Sequence, residues 1–242
     1  MIEKTAGLVL HSLKYGETSV IARVYTRKLG LQSYLVPGVR KLKPRIRQNL
    51  FQPLTILDLV VYYKSNANLQ RIKEISCPEP FRLIPWDVPR ASIALFVAEV
   101  LLKTIREQES NESLFDYLTR SIRWLDQEQE RISSFHLLFL VQLSRHLGFY
   151  PRENYLQGSR DCFNMQEGIF EKEMGDEKLF LNKELSHHLQ QLQNSDYPGL
   201  SHLSIPAATR RALLYKLIDY YRLHMAGMTS LNSHRVMETV LS

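Results

Sequence analysis

Four prolines within 12 residues, Pro78, Pro80, Pro85 and Pro89, interrupt this chain, and the hydrophobic period differs on either side of them. Each proline removes a backbone donor, which opposes both a helix interior and a central strand. Before them apolar and polar residues alternate, with β-branched and aromatic side chains common, as in strands. After them apolar residues recur at steps of three and four, as in helices. The pattern predicts a β domain over residues 1–78, a connector over 79–90 and a helical domain over 91–242. The fold class is therefore α+β. A length of 242 residues is enough to bury a core in one large domain or two small ones.

Five strands are expected, at residues 5–14, 18–26, 31–36, 53–63 and 69–76. Tyr15-Gly16-Glu17 makes the first turn and Lys28-Leu29-Gly30 the second, with Gly30 able to take a positive φ. Asn66-Ala67-Asn68 turns into the fifth strand. Five short strands with one longer excursion after the third suit a five-stranded barrel of the OB type. Another small barrel or an open sheet would share the same strand pattern.

Beyond the connector, helices are expected over 91–107, over 113–127 with Ser113 as cap, and over 131–147. The third is apolar almost all round and reads as the central helix, ended by Gly148. Ser204 and Pro206 read as the start of a further helix running to about Met225. Residues 149–184 are less regular, and GIFEKEMGDEKLFL is expected to form a hairpin turning at Gly175-Asp176.

Charge is distributed unevenly along the chain. Residues 1–80 hold 13 Lys and Arg against 5 Asp and Glu, whereas the remainder holds 18 against 20. Between Glu17 and Asp58 stand eight basic residues and no acidic one. Five of them, Arg40, Lys41, Lys43, Arg45 and Arg47, fall in the loop PGVRKLKPRIRQNLFQP between the third and fourth strands. Such asymmetry favours an anionic partner. The first residues have no long apolar run and read as neither a signal peptide nor a membrane span, so a cytoplasmic location is expected. The two cysteines, Cys77 and Cys162, support neither a disulfide framework nor a zinc site.

Catalytic motifs are missing. Neither a P-loop, a G-x-G-x-x-G turn, a G-x-S-x-G elbow nor an H-E-x-x-H pair occurs. His187 and His188 are adjacent, so on a helix they diverge by about 100° and cannot chelate together. Asp116 and Asp126 read as members of solvated helix faces. No enzymatic role is expected.

On the second strand Arg23, Tyr25 and Arg27 share one face, with Val20, Ala22 and Val24 on the other. On the third strand Tyr34 is expected to point outward beside them. Cations and phenol rings on one face, with Lys28 and the basic loop alongside, match what an unpaired nucleic-acid strand needs. Cations neutralise phosphates, and bases stack on rings at about 1–3 kcal/mol each. The plainer alternative is a solvated loop over half-buried tyrosines, although clustered cations without an anion raise self-repulsion. A membrane surface fits less well, because the loop has no continuous apolar face.

The run GLVLHSLKYGETSVIARVYTRKLGLQSYLVPGVRKLKPRIRQNLFQPLTILDLVVYY resembles the N-terminal domain of the RecO family of recombination mediators. The shared features are the Tyr15-Gly16-Glu17 turn, the turn from Thr26 to Gly30, Gly38-x-Arg40 with basic residues after it, and Gln52-Pro53 opening the next strand. Later in the chain, Leu147 to Pro151 is similar to a Leu-Gly-Phe-Tyr-Pro segment of the family. The resemblance implies an OB domain followed by a helical domain, in a non-catalytic protein of DNA repair and recombination. Its implied activities are binding of single- and double-stranded DNA and annealing of complementary strands. Its implied partners are RecR and the C-terminal tail of single-stranded DNA-binding protein, with loading of RecA as the outcome.

Two departures stand out. The family usually has Lys before the loop glycine, where this chain has Pro37. Many members carry a four-cysteine zinc site after the Leu-Gly segment, but residues 154–177 here contain only Cys162, so neither zinc nor another cofactor is expected. The irregular lobe over 149–184 would then be a zinc-less remnant held by apolar packing. An acidic tail with an apolar end needs a basic rim around an apolar pocket, for which Arg210 and Arg211 are candidates, against the plainer reading of a solvated first turn. A rival function from another class is an adaptor whose basic loop docks an acidic peptide or ribonucleoprotein.

Overall fold

Five strands close into a barrel in the order β1-β2-β3-β5-β4. They are β1 Ile2–Tyr15, β2 Ser19–Thr26, β3 Gly30–Val36, β4 Ile56–Tyr62 and β5 Gln70–Ser76. The computed structural model describes residues 1–42, 46–106, 108–128, 132–172, 175–228 and 230–241. All neighbours are antiparallel except β3 and β5, which close the barrel through a short parallel contact, Tyr34 beside Gln70 and Leu35 beside Arg71. Closure removes the sheet edges that an open arrangement would leave unpaired. This is the five-stranded, OB-type barrel expected from the sequence. The β1 strand serves both sides: residues 2–8 pair with β4 and residues 7–15 with β2, across a register shift between Val9 and His11. Val9, Val20, Ala22, Val24, Tyr34, Val36, Leu57, Leu59 and Val61 fill the interior.

Two helices accompany the barrel. Helix α1 spans Val88–Thr104 and α2 spans Glu112–Gln127. α1 starts within the Pro-rich connector because Asp87 caps it, accepting the Arg90 backbone N–H at 2.8 Å, and Pro89 is tolerated in a first turn. α2 is capped by the Asn111 side chain, which accepts from the Leu114 N–H at 3.0 Å, and not by Ser113. Asp126, expected on a solvated face, is buried. Its carboxylate accepts the backbone N–H groups of Arg82, Leu83 and Ile84 at 2.8–3.1 Å, tying the connector to α2. Gly30 has φ 61°, and a Cβ there would lie 2.4 Å from the Glu109 carbonyl, so only glycine admits the α1–α2 link at this turn. The chain divides into two compact units, Met1–Asp126 and Gln127–Ser242, a division later than the 79–90 connector.

The second unit is mainly helical. A 3-10 turn, Ile132–Ser134, leads into α3, Phe135–His146, which is buried nearly all round. Gly148, at φ 86°, turns the chain out of that helix. Three short strands follow, β6 Cys162–Asn164, β7 Ile169–Glu171 and β8 Phe180–Leu181, in the order β7-β6-β8. The expected hairpin about Gly175 is corrected: β7 and β8 do not pair with each other but flank β6 on either side. Helices α4 Lys183–Gln193, α5 Ala207–His224 and α6 Ser233–Leu241 complete the unit. α5 begins just after Pro206, with no side chain capping its start, so Ser204 is not its cap.

Candidate nucleic-acid interface

The basic loop is held at both ends by apolar anchors. Val39 and Phe51, 2% and 1% exposed, belong to the barrel core. The Arg40 backbone N–H donates to the Thr18 carbonyl at 3.1 Å, which fastens the loop to the β1–β2 turn. At the far end, the Ser12 hydroxyl donates to the Phe51 carbonyl at 3.0 Å. Between these anchors Arg40, Lys41 and Arg47 are exposed, as is Leu42. Among the described residues no carboxylate pairs with Arg23, Lys28, Arg40, Lys41 or Arg47. Lys43 and Arg45 lie outside the described residues.

Not all the predicted cations are brought together. Arg23 sits half-buried in mid-strand on the outer face of β2, within the same sheet as the loop anchor. Arg27 and Lys28 turn the chain at the opposite end of the β2–β3 hairpin, about 20 Å away for six extended residues. Arg27 is also engaged: its guanidinium lies 3.1 Å from Glu112 and 3.2 Å from Asp116. These carboxylates stand in the first turns of α2, where the helix dipole favours negative charge. Asp116 therefore serves as a partner for Arg27.

The two tyrosines expected to stack on bases cannot do so. Tyr25 is 1% exposed; its ring packs against Phe115 of α2 at 6.2 Å and its hydroxyl donates to the Asn111 carbonyl at 3.3 Å. Tyr34 is fully buried inside the barrel and lies opposite Ala22, whose small side chain leaves room for the ring. Burial pushes the Tyr34 phenol well above its ordinary value. The outward residues of β3 are Ser33 and Leu35. Sequence reasoning also passed over Arg71, which the parallel β3–β5 contact sets beside Leu35; that pairing leaves no local sequence signal.

In the second unit Arg210 is half-buried and not solvated. It donates to the Ile205 carbonyl at 2.7 Å and to the Leu241 carbonyl at 3.5 Å, and burial lowers its pKa. Arg211 is exposed beside it, and both line a cleft with His136, Leu214, Met237 and Glu238. Burial, helped by Arg210, pushes His136 down to about 3. Glu238 on this rim opposes an acidic ligand, and Tyr215 donates a hydrogen bond to it at 2.9 Å. The small sheet is held by rings: Phe163 lies 5.0 Å from Phe170 and 5.4 Å from Tyr220, and Phe149 stacks on His224 at 5.3 Å. Among the described residues no three His, Cys, Asp or Glu side chains are grouped to hold a metal, and no helix is long and apolar enough to cross a membrane.

Comparison with known proteins agrees with this architecture. Residues 1–81 match the family model "Recombination protein O N terminal", and residues 86–233 match "Recombination protein O C terminal". The chain belongs to the RecO family. A DNA repair protein RecO of Phocaeicola vulgatus is 38% identical over the whole of both chains. That of Bacteroides fragilis is 38% identical over 98% of each, and that of Flavobacterium johnsoniae 33% identical over 99% of each. Membership makes this a DNA repair protein of the recombination-mediator family. The first RecO model covers the barrel and its basic loop; the second covers α1 to α5 and reaches the first residue of α6.

Proposed function

We propose that this protein is a non-catalytic mediator that binds single- and double-stranded DNA and anneals complementary strands. Two polyanions repel each other, and a surface that neutralises both lowers the barrier to pairing without making or breaking a bond. Phosphate contact falls to Arg23, Arg40, Lys41 and Arg47, together with Lys43 and Arg45, with Lys28 at the far end of the hairpin. Arg27 contributes less, because two carboxylates already oppose its charge. The observation that carries this reading is the tethered loop, whose exposed Arg40, Lys41 and Arg47 pair with no carboxylate among the described residues, on the domain that the N-terminal RecO model covers. Family membership supports action in the cytoplasm with RecR and with the tail of single-stranded DNA-binding protein, leading to RecA loading. The Arg210–Arg211 cleft is a candidate seat for that tail, with Arg211 as its exposed cation and Glu238 acting against it.

A salt titration tests the loop. Four phosphate contacts at about −0.7 each give a slope of log K against log salt near −3 for a single strand. Replacing Arg40, Lys41, Lys43 and Arg45 by Ala flattens that slope, slows annealing of complementary oligonucleotides and leaves the melting temperature nearly unchanged. An unaltered slope would move the site elsewhere. Binding of an acidic peptide with no binding of DNA would favour an adaptor.

A further inference from the structure

The Arg210–Arg211 cleft is short of room. Its volume is about 30 Å³, space for little more than a water molecule and too small for the apolar end of a peptide. The space is filled from within. Helix α6 lies along the cleft and contributes Met237, Glu238 and Leu241 to its lining, against Ala207 and Leu214 as the apolar wall of α5. Met237 is fully buried. Glu238 accepts a hydrogen bond from the Tyr215 hydroxyl at 2.9 Å, and the Arg210 guanidinium donates to the Leu241 carbonyl at 3.5 Å. One buried apolar side chain, one carboxylate and one oxygen on an arginine are what an acidic peptide with an apolar end would bring. The chain already supplies them itself.

α6 is lightly rooted. It has nine residues, too few to stand as an isolated helix in water, and among them only His234 and Met237 are buried. Leu231, 4% exposed, fixes the chain just before it, so α6 can lift about Asn232 without disturbing that anchor. Its departure would remove Glu238 from the rim, uncover Ala207 and Leu214, and leave Arg210 and Arg211 facing an apolar groove. We infer that α6 is an internal plug of this cleft, and that an acidic peptide with an apolar end enters only by displacing it. The inference rests on the proposed seat for such a tail and refines it. Apparent affinity is then that of the open cleft, reduced by the fraction of molecules in which α6 is undocked. A ligand with charge alone does not replace Met237, and one that is only apolar makes no use of Arg210 and Arg211. The exchange therefore selects a ligand that has both.

Hydrogen exchange on the whole chain tests this directly, with and without a labelled peptide of acidic residues ending in phenylalanine. Binding should slow exchange at residues 211–214 and speed it across residues 233–241. Met237→Ser removes the apolar anchor of the plug without altering charge, and should tighten the peptide about tenfold by raising the undocked fraction. Tyr215→Phe, which loses only the bond to Glu238, repeats the measurement with a smaller gain should Met237→Ser melt early. Arg211→Ala should weaken the peptide in wild type and variant alike, and a peptide ending in glycine should bind poorly to both. Unchanged or slower exchange across residues 233–241 on binding overturns the inference, as does a Met237→Ser variant that binds no more tightly than wild type. Those results leave the cleft as the seat if Arg211→Ala still weakens the peptide. Affinity indifferent to Arg211→Ala, or no binding by wild type and variants alike, removes the seat and the plug together.

Discussion

In the barrel unit Arg40, Lys41 and Arg47 stand exposed, and among the described residues no carboxylate pairs with them. In the helical unit Arg145, Lys183 and Arg222 each hold one: Glu153 at 3.0 Å, Asp161 at 3.1 Å and Asp219 at 2.8 Å. The rings differ in the same sense. Tyr15 and Tyr62 of the barrel remain about half exposed, whereas Phe149, Phe163, Phe170, Tyr220 and Tyr221 pack on one another. The difference belongs to the loop and the lobe and not to the whole of each unit, since Arg27 is ion-paired and Tyr25 and Tyr34 are buried in the barrel unit, while Arg211 and Tyr215 are exposed in the helical one. Unneutralised cations raise the self-repulsion of the folded state, and half-exposed rings forgo burial. The loop tolerates this because Val39 and Phe51 anchor it in the core. The basic loop leaves such terms open, and the ring-packed lobe closes them.

This contrast can be broken by substitution. The largest effect is expected at Phe163, fully buried between Phe170 and Tyr220. Phe163→Ala should cost about 3–5 kcal/mol in denaturant unfolding of the helical unit, while the salt slope of DNA binding stays unchanged. A changed slope would show that the lobe also takes part in binding.

Acid should weaken the helical unit through His136. Its imidazole is neutral in the folded state down to about pH 3, whereas in the unfolded chain it takes up a proton near pH 6.5. Between these values the unfolded state binds more protons, so stability falls as pH falls. At about 1.4 kcal/mol per pH unit the loss reaches about 2 kcal/mol at pH 5. His136→Gln should flatten this limb of the stability–pH curve. An unchanged limb would assign the acid sensitivity to another group.

The smallest effect is expected at Arg27. Its ion pairs with Glu112 and Asp116 are largely exposed, so Arg27→Gln should cost under about 1 kcal/mol. It should leave the salt slope of DNA binding nearly unaltered, whereas Arg40→Gln should reduce that slope by about 0.7. Equal slopes for the two variants would mean that the carboxylates do not withhold Arg27 from phosphate.

Much of the barrel was legible because its signals are local. The turns at Tyr15-Gly16-Glu17 and Gly30 and the alternation of apolar residues place each strand within a few residues of where it lies. The basic loop was legible for the same reason. What escaped depended on distant chain. β2 ends in three consecutive buried residues, Val24, Tyr25 and Thr26, a run that alternation does not foresee. The partners of Tyr25 there are Asn111 and Phe115, the former 86 residues further on. Asp126 looked like one more helix-surface carboxylate until the connector's N–H groups closed on it.

By itself the sequence determined the order of the elements, the change from strand to helix and the concentration of positive charge before residue 80, since period, turn chemistry and composition reside in neighbouring residues. Only the tertiary structure decided which of those side chains stayed available to a ligand. Strand register turned Tyr34 inward against Ala22, α2 covered Tyr25 and drew off Arg27, and Leu13 and Tyr15 were left open beside Arg23. Each outcome depends on pairing between segments far apart in the chain, where the free energy of burial and not the local pattern selects the face.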